Sequence, residues 1–113
     1  MANAFKSYTK ASVGVTTTDV YTVPGATTAT VIGFALANRT GSGTVYANVL
    51  VDKSEVSADD IYLIRNAALY DGSGFEFNAG NKICLETGDK IQVSADTADS
   101  VDIIVSVLEQ TWG

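Results

Sequence analysis

Thr28 to Asn38 reads TATVIGFALAN, and the way this run alternates decides the fold. It carries no charge. One set of alternate positions holds Ile32, Phe34 and Leu36, all large and apolar; the other holds Val31, Gly33, Ala35 and Ala37, apolar and mostly small. A run with two apolar faces is a strand covered on both sides. The bulky set is expected to fill a sandwich core, and the small set to let something else approach closely.

The flanks extend the β reading. Upstream, Val20 to Val23 is a short strand stopped by Pro24-Gly25, a pair that fits a type II turn with glycine at the position needing positive φ. Downstream, Asn38 to Gly43 has the composition of a hairpin loop, and Thr44 to Lys53 alternates cleanly. Val45, Ala47, Val49 and Val51 fall on one side of that strand, and Tyr46, Asn48, Leu50 and Asp52 on the other. The short loop predicts that it pairs antiparallel with the 28–38 strand. Ser54 to Asp60 reads as a surface loop, although Ser57 and Asp60 could begin one helical turn.

Further strands are expected at Ile61–Arg65, Phe75–Phe77, Ile83–Leu85, Ile91–Ala95 and Val101–Thr111, with 66–71 either extended or turning. Gly72-Ser73-Gly74, Ala79-Gly80-Asn81 and Glu86-Thr87-Gly88-Asp89 read as turns, and Phe75 and Phe77 as core aromatics. In the last strand Val101, Ile103, Val105 and Val107 share a side, while Ile104 and Leu108 punctuate the other. Residues 1–15 form an edge strand, or an arm that pairs with a neighbouring copy, with Lys6 and Lys10 discouraging unwanted edge pairing. Residues 16–113 form the sandwich. The sum is a single all-β domain, an antiparallel, jelly-roll-like β-sandwich of eight to nine strands, with a closed barrel as the alternative.

Composition narrows the function classes. The 113 residues carry 13 acidic and 7 basic side chains, a net charge of -6, and the basic residues do not cluster. A nucleic-acid partner is not expected. There is no histidine and a single cysteine, Cys84, so neither an internal disulfide nor a histidine-based triad or metal site can be built. The opening MANAFKSYTK lacks the apolar segment of a signal peptide, and no apolar run reaches membrane-helix length. Synthesis in the cytoplasm, without a membrane partner, is the expectation.

Carboxylates offer little chemistry at this stage. Asp96, Asp99 and Asp102, like the adjacent Asp59 and Asp60, suit calcium by type but lack the dense ordered ligand set of a calcium loop. A solvated loop with Asx turns is the plainer reading. Glu76, Glu86 and Glu109 could pair for glycoside hydrolysis, but each sits where a solvent-facing strand or turn residue would. Cys84, between Ile83 and Leu85 and near Lys82, reads as a core or half-buried thiol. No catalytic, cofactor or metal residue is assigned. Aromatic and strand-face positions are better candidates for subunit contacts, namely Phe5, Tyr8, Tyr46, Asn48, Leu50 and Trp112.

Several stretches resemble small virion proteins of tailed bacteriophages. They are Tyr21-Thr22-Val23-Pro24-Gly25 with the 28–33 run and Ala37-Asn38, then Tyr62-Leu63-Ile64-Arg65-Asn66-Ala67, then Leu85 to Val93, and Ser100 to Glu109. The likeness runs from about Ala11 to the end. Related sequences tend to read Pro-Ala-Gly where this chain has Pro24-Gly25-Ala26. The resemblance implies a non-enzymatic structural subunit of a phage particle, a capsid decoration (cement) protein docking on the shell. Its partners would be other copies of itself and the major capsid protein or neck and tail proteins, and its location the virion. A neck, tail or fibre-attachment role and a carbohydrate-binding β-sandwich module are the alternatives.

Overall fold

A computed structural model describes residues 2–41, 43–54, 60–71 and 74–112, with the backbone alone over 75–82. Eight strands make two four-stranded antiparallel sheets. In chain order they are β1 (Ala2–Val13), β2 (Thr18–Thr22), β3 (Thr27–Asn38), β4 (Val45–Asp52), β5 (Ile61–Leu69), β6 (Gly74–Leu85), β7 (Lys90–Ala95) and β8 (Val101–Thr111). Sheet A runs β1-β8-β3-β6 and sheet B runs β2-β7-β4-β5. Apart from β4 to β5, each connection crosses from one sheet to the other. This is the double-sheet jelly-roll order, so the sandwich expectation is met and the barrel is not.

Valine dominates the space between the sheets. Val45, Ala47, Val49 and Val51 of β4 and Ile91, Val93 and Ala95 of β7 face Val101, Ile103, Val105 and Val107 of β8, all buried. β-Branched side chains keep few rotamers and pack well on a pleated surface, which suits a core only two side chains thick. Among the described residues, every buried side-chain nitrogen and oxygen has a hydrogen-bond partner.

β3 departs from the simple alternation. Val31 lies opposite Val107 and Gly33 opposite Ser106, so Ile32 is an extra residue with no counterpart in β8. The bulge reverses the parity of the strand. Ala29 and Val31 point inward before it, Phe34 and Leu36 after it. Ile32, expected in the core beside Phe34 and Leu36, is therefore turned out and 39% exposed, on the side that carries Ala35 and Ala37. Val31, expected on the small-residue face, is fully buried.

The expected pairing of β3 with β4 does not form. β3 lies between β8 and β6, β4 between β7 and β5, and the connection steps across the sandwich. Its length permits this: a two-residue loop enforces a hairpin, whereas this one can span the gap of about 10 Å between sheets. Buried Asn38 fixes the crossing. Its Nδ2 donates to the carbonyls of Gly43 (2.9 Å) and Leu69 (3.0 Å), and its Oδ1 accepts from Thr40 N–H (2.9 Å) and Oγ1 (2.7 Å).

Two more segments differ from expectation, and the open reading of 66–71 resolves as strand through Leu69. Residues 66–69 extend β5, with Asn66 at φ +54° accommodating a slip in the ladder to β4. The two short strands expected around Ala79-Gly80-Asn81 are one twelve-residue strand, β6, irregular where the turn was expected. At Pro24-Gly25-Ala26 the left-handed residue is Ala26 (φ +53°), not Gly25. The side chains of Phe75 and Phe77, and Ser57 with its candidate helical turn, lie outside the described residues.

The turn gives a direct test. A Cβ at Gly25 would meet nothing within 4 Å, while Ala26 holds a left-handed φ that glycine adopts freely. Gly25→Ala combined with Ala26→Gly leaves the unfolded chain with the same one glycine and one alanine, and is expected to raise the unfolding free energy by about 1 kcal/mol in urea titration from relieved backbone strain. An unchanged or lower value contradicts the turn geometry.

Candidate functional site

Because β3 changes parity, its outward side chains join those of β8 and β1 in straight rows across sheet A. Phe5, Leu108, Thr30 and Cys84 form one row over all four strands. Thr9, Ile104 and Ala35 form another, and Ser7 and Ser106 lie between them beside Ile32. Phe5 is 77% exposed, Ile104 41%, and the Cys84 thiol is exposed. Around Thr9, Ala35, Ala37 and Ile104 the face is dished into an open groove of about 380 Å³. Asp102 lies on this face and is paired with Arg39 at 3.0 Å, Lys10 lines the groove, and Glu76 of β6 is the register partner of Ala35.

The outer side of sheet B is built differently. Asp19 binds Lys90 (3.3 Å) and accepts from Gln92 Nε2 (2.7 Å). Asn48 bridges Ser94 Oγ (3.3 Å) and the N–H of Asn66 (2.9 Å). One outer face is knit by polar contacts, and the described part of the other carries large apolar side chains among small and hydroxyl residues. Covering exposed apolar side chains on a sheet face removes hydrocarbon from water.

A second constellation lies where sheet A meets sheet B at β1 and β2. Glu109 is 4% exposed, and its Oε2 accepts from Tyr21 OH (2.6 Å) and Tyr8 OH (2.8 Å), while Oε1 faces Lys6 Nζ (3.2 Å). The two tyrosine rings stack at 4.4 Å. Burial alone would raise the Glu109 pKa, but the bonds from Tyr21, Tyr8 and Lys6 together outweigh it and hold it below the usual carboxylate value. Tyr8 is pushed up to about 12 and Tyr21 higher still, by burial first and by the Glu109 carboxylate second.

Asp89, fully buried, repeats the device at the turn into β7. It accepts from the backbone N–H of Ser54 and Glu86 (both 2.9 Å) and pairs with Lys53. Burial opposes its ionisation, and these partners reverse the balance, so its pKa is also lowered. Both groups hold the fold together, and neither lines the groove around Thr9 and Ile104.

The contact residues expected from sequence separate. Phe5 stands on the apolar face of sheet A. Tyr8 does not present its hydroxyl outward, being tied to Glu109. Tyr46 is 44% exposed on sheet B with its backbone N–H bound to Asp96 (3.1 Å), Asn48 is engaged as described, and Trp112 is half-exposed at the end of β8. Leu50 is buried, so it offers no free contact surface. Glu109 is not solvent-facing: it is the fifth inward residue of β8, following Val101, Ile103, Val105 and Val107, and the alternation itself marked it. Cys84 is not a core thiol, because Leu85 takes the inward position. Asp96 and Asp102 serve the loops and Arg39, and among the described residues no three acidic, cysteine or histidine side chains converge on a metal position. Tyr62 is exposed on β5 under the Arg65 guanidinium (4.8 Å). The Glu76 side chain lies outside the described residues.

No protein-family model matches this chain, and no curated protein does. Among solved structures it is similar to a chain described as "Bacillus endospore appendages form a novel family of disulfide-linked pili", with TM-score 0.57 and 13% identity. The match covers 99% of this chain and 88% of that one. At that identity the likeness shows a shared fold.

Removing the Glu109 carboxylate tests the second constellation. Glu109→Ala strands two tyrosine hydroxyls and is expected to lower stability by about 3 kcal/mol, and Glu109→Gln by roughly half as much. Because the folded state holds this carboxyl below its unfolded pKa, its contribution is complete above the normal carboxylate range and is lost as pH falls below it. Denaturant titrations across the acid range should therefore show a shallower acid limb in Glu109→Gln than in the parent; identical limbs contradict the assignment.

Proposed function

We propose that this chain is a non-enzymatic structural subunit of a bacteriophage particle. It decorates the shell by packing the apolar face of sheet A against neighbouring copies and the surface beneath. The observation that carries the reading is the contrast between the two outer faces: Phe5, Ile32 and Ile104 are exposed and Leu108 half-buried on one, while on the other a hydrogen-bonded polar network surrounds the exposed Tyr46 and Tyr62. Size supports it. Four strands about 4.8 Å apart and some 12 residues long present roughly 800 Å², the area each partner buries in a standard specific interface. Charge supports it too, since copies each carrying -6 meet with less repulsion through a patch whose Asp102 is paired with Arg39.

The resemblance to tailed-phage virion proteins supplies the particle, and the appendage chain supplies a case of this sandwich in an assembled pilus. A neck or tail position uses the same face and differs in copy number. The carbohydrate-binding alternative needs aromatics gathered on one platform. Tyr46 stands four residues along β4 from Leu50, the register partner of Tyr62, about 13 Å away, and one face of the exposed Tyr62 ring is taken by the Arg65 guanidinium.

Cys84, exposed on the edge strand β6 of the proposed face, is a built-in reporter. In purified particles the chain should be present, and its thiol should react with a maleimide about tenfold more slowly before dissociation than after, since access limits the rate. Absence from particles contradicts the virion reading, and an equal rate in both states contradicts docking through sheet A.

A further inference from the structure

We propose that residues 2–11 of β1 are an exchangeable strand, which in the assembled state lies on β8 of a second copy of this chain. The proposal rests on the reading of the chain as a self-associating subunit and specifies how copies interlock. No side chain between Ala2 and Ala11 is fully buried, and only Ala4 and Tyr8 are partly sheltered. What holds this segment is the backbone ladder to β8, in unbroken register from Ala2 opposite Thr111 to Lys10 opposite Ile103, the bonds of Lys6 and Tyr8 to Glu109, and the packing of the Tyr8 ring on Tyr21 at the core's edge. A second copy's strand would reproduce all of these contacts.

The far end of β1 is fixed in a different way. Val13 is buried, and its carbonyl accepts from Ser100 N–H (2.9 Å). The Gly14 carbonyl accepts from Ala95 N–H (2.9 Å), and the residue lies so close to the backbone of Ala98 that a Cβ would meet it at 3.3 Å. Between the loose and fixed parts sits Ser12, at φ +57°, where the ladder slips by a residue. Its N–H donates to Asp102 (3.0 Å) and its Oγ accepts from Arg39 (2.6 Å). A left-handed serine at the junction is a strained pivot, and strained hinges beside peelable strands favour exchange between copies.

Glu109 specifies the occupant. Two of its three partners, Lys6 and Tyr8, come from β1, so a departing strand would leave a buried carboxylate supported by Tyr21 alone. β8 thus demands a strand carrying lysine and tyrosine two residues apart with a free N–H at the bulge. A second copy supplies that strand with the same register, so exchange replaces every contact it breaks.

The test uses Ser7 and Ser106, which lie directly opposite on the outward side of β1 and β8. Two variants, Ser7→Cys and Ser106→Cys, each with Cys84→Ser, are mass-labelled differently, unfolded, refolded together and oxidised. Exchange predicts a covalent species of two chains joined from position 7 to position 106. That link should exceed 7–7 and 106–106 links about tenfold, because strand pairing holds these sulfurs at high effective concentration. Its absence, or parity with the like-to-like links, overturns the proposal. Sedimentation of the same samples before oxidation separates the two ideas: association without the 7–106 link removes strand exchange and leaves face docking standing.

Discussion

A single extra residue in β3 governs the rest of the molecule. Were the 27–38 strand regular, Val31 and Phe34 could not both face the core, and Ile32 would lie inside while its neighbours lay out. The bulge lets Ala29, Val31, Phe34 and Leu36 all pack against sheet B. It also places Ile32, Ala35 and Ala37 on the outer surface, in line with Ile104 and near Phe5 and Leu108. The apolar outer face of sheet A is thus a consequence of how β3 fills the core. Glycine beside the bulge fits the general rule that strand glycines mark such irregularities.

A sandwich whose chain keeps changing sheets must bury backbone at each crossing, and buried polar side chains serve those places. Asn38 closes the passage from β3 to β4, Asp89 the passage from β6 to β7, and Glu109 joins β8 and β1 of sheet A to Tyr21 of β2 in sheet B. Each is inaccessible and fully bonded. Their roles explain why the carboxylates of Asp89 and Glu109 are perturbed although neither lines the groove of sheet A. Low-dielectric burial here serves geometry, holding two sheets in one relation.

Much of this was legible in the sequence. Two-residue periodicity gave β4, β7 and β8 their inward faces residue for residue, and the absence of helical periodicity gave the class. The failures are local and physical. Alternation assigns faces only while the ladder is regular, so the bulge at Ile32 inverted half of β3. Loop length alone does not distinguish a hairpin from a crossing, which required knowing that β3 and β4 each have two other partners. Glu109 was hidden by its charge, although it continues the inward series of β8; an acidic residue in an apolar register signals a buried partner set, and Tyr8 and Tyr21 supplied it. Ile104 and Leu108, noted as apolar interruptions of the opposite side of β8, were the visible trace of the outer face.

Charging that face tests its role most directly. Ile32→Glu and Ile104→Glu each place a carboxylate on the outward side of sheet A, away from the packed core. Sedimentation velocity over a concentration series should show the parent chain associating and both variants remaining single chains, with melting temperatures within a few degrees of the parent. Association of the variants equal to the parent's, or a parent that stays a single chain throughout, would contradict the assignment of sheet A as the surface through which copies meet.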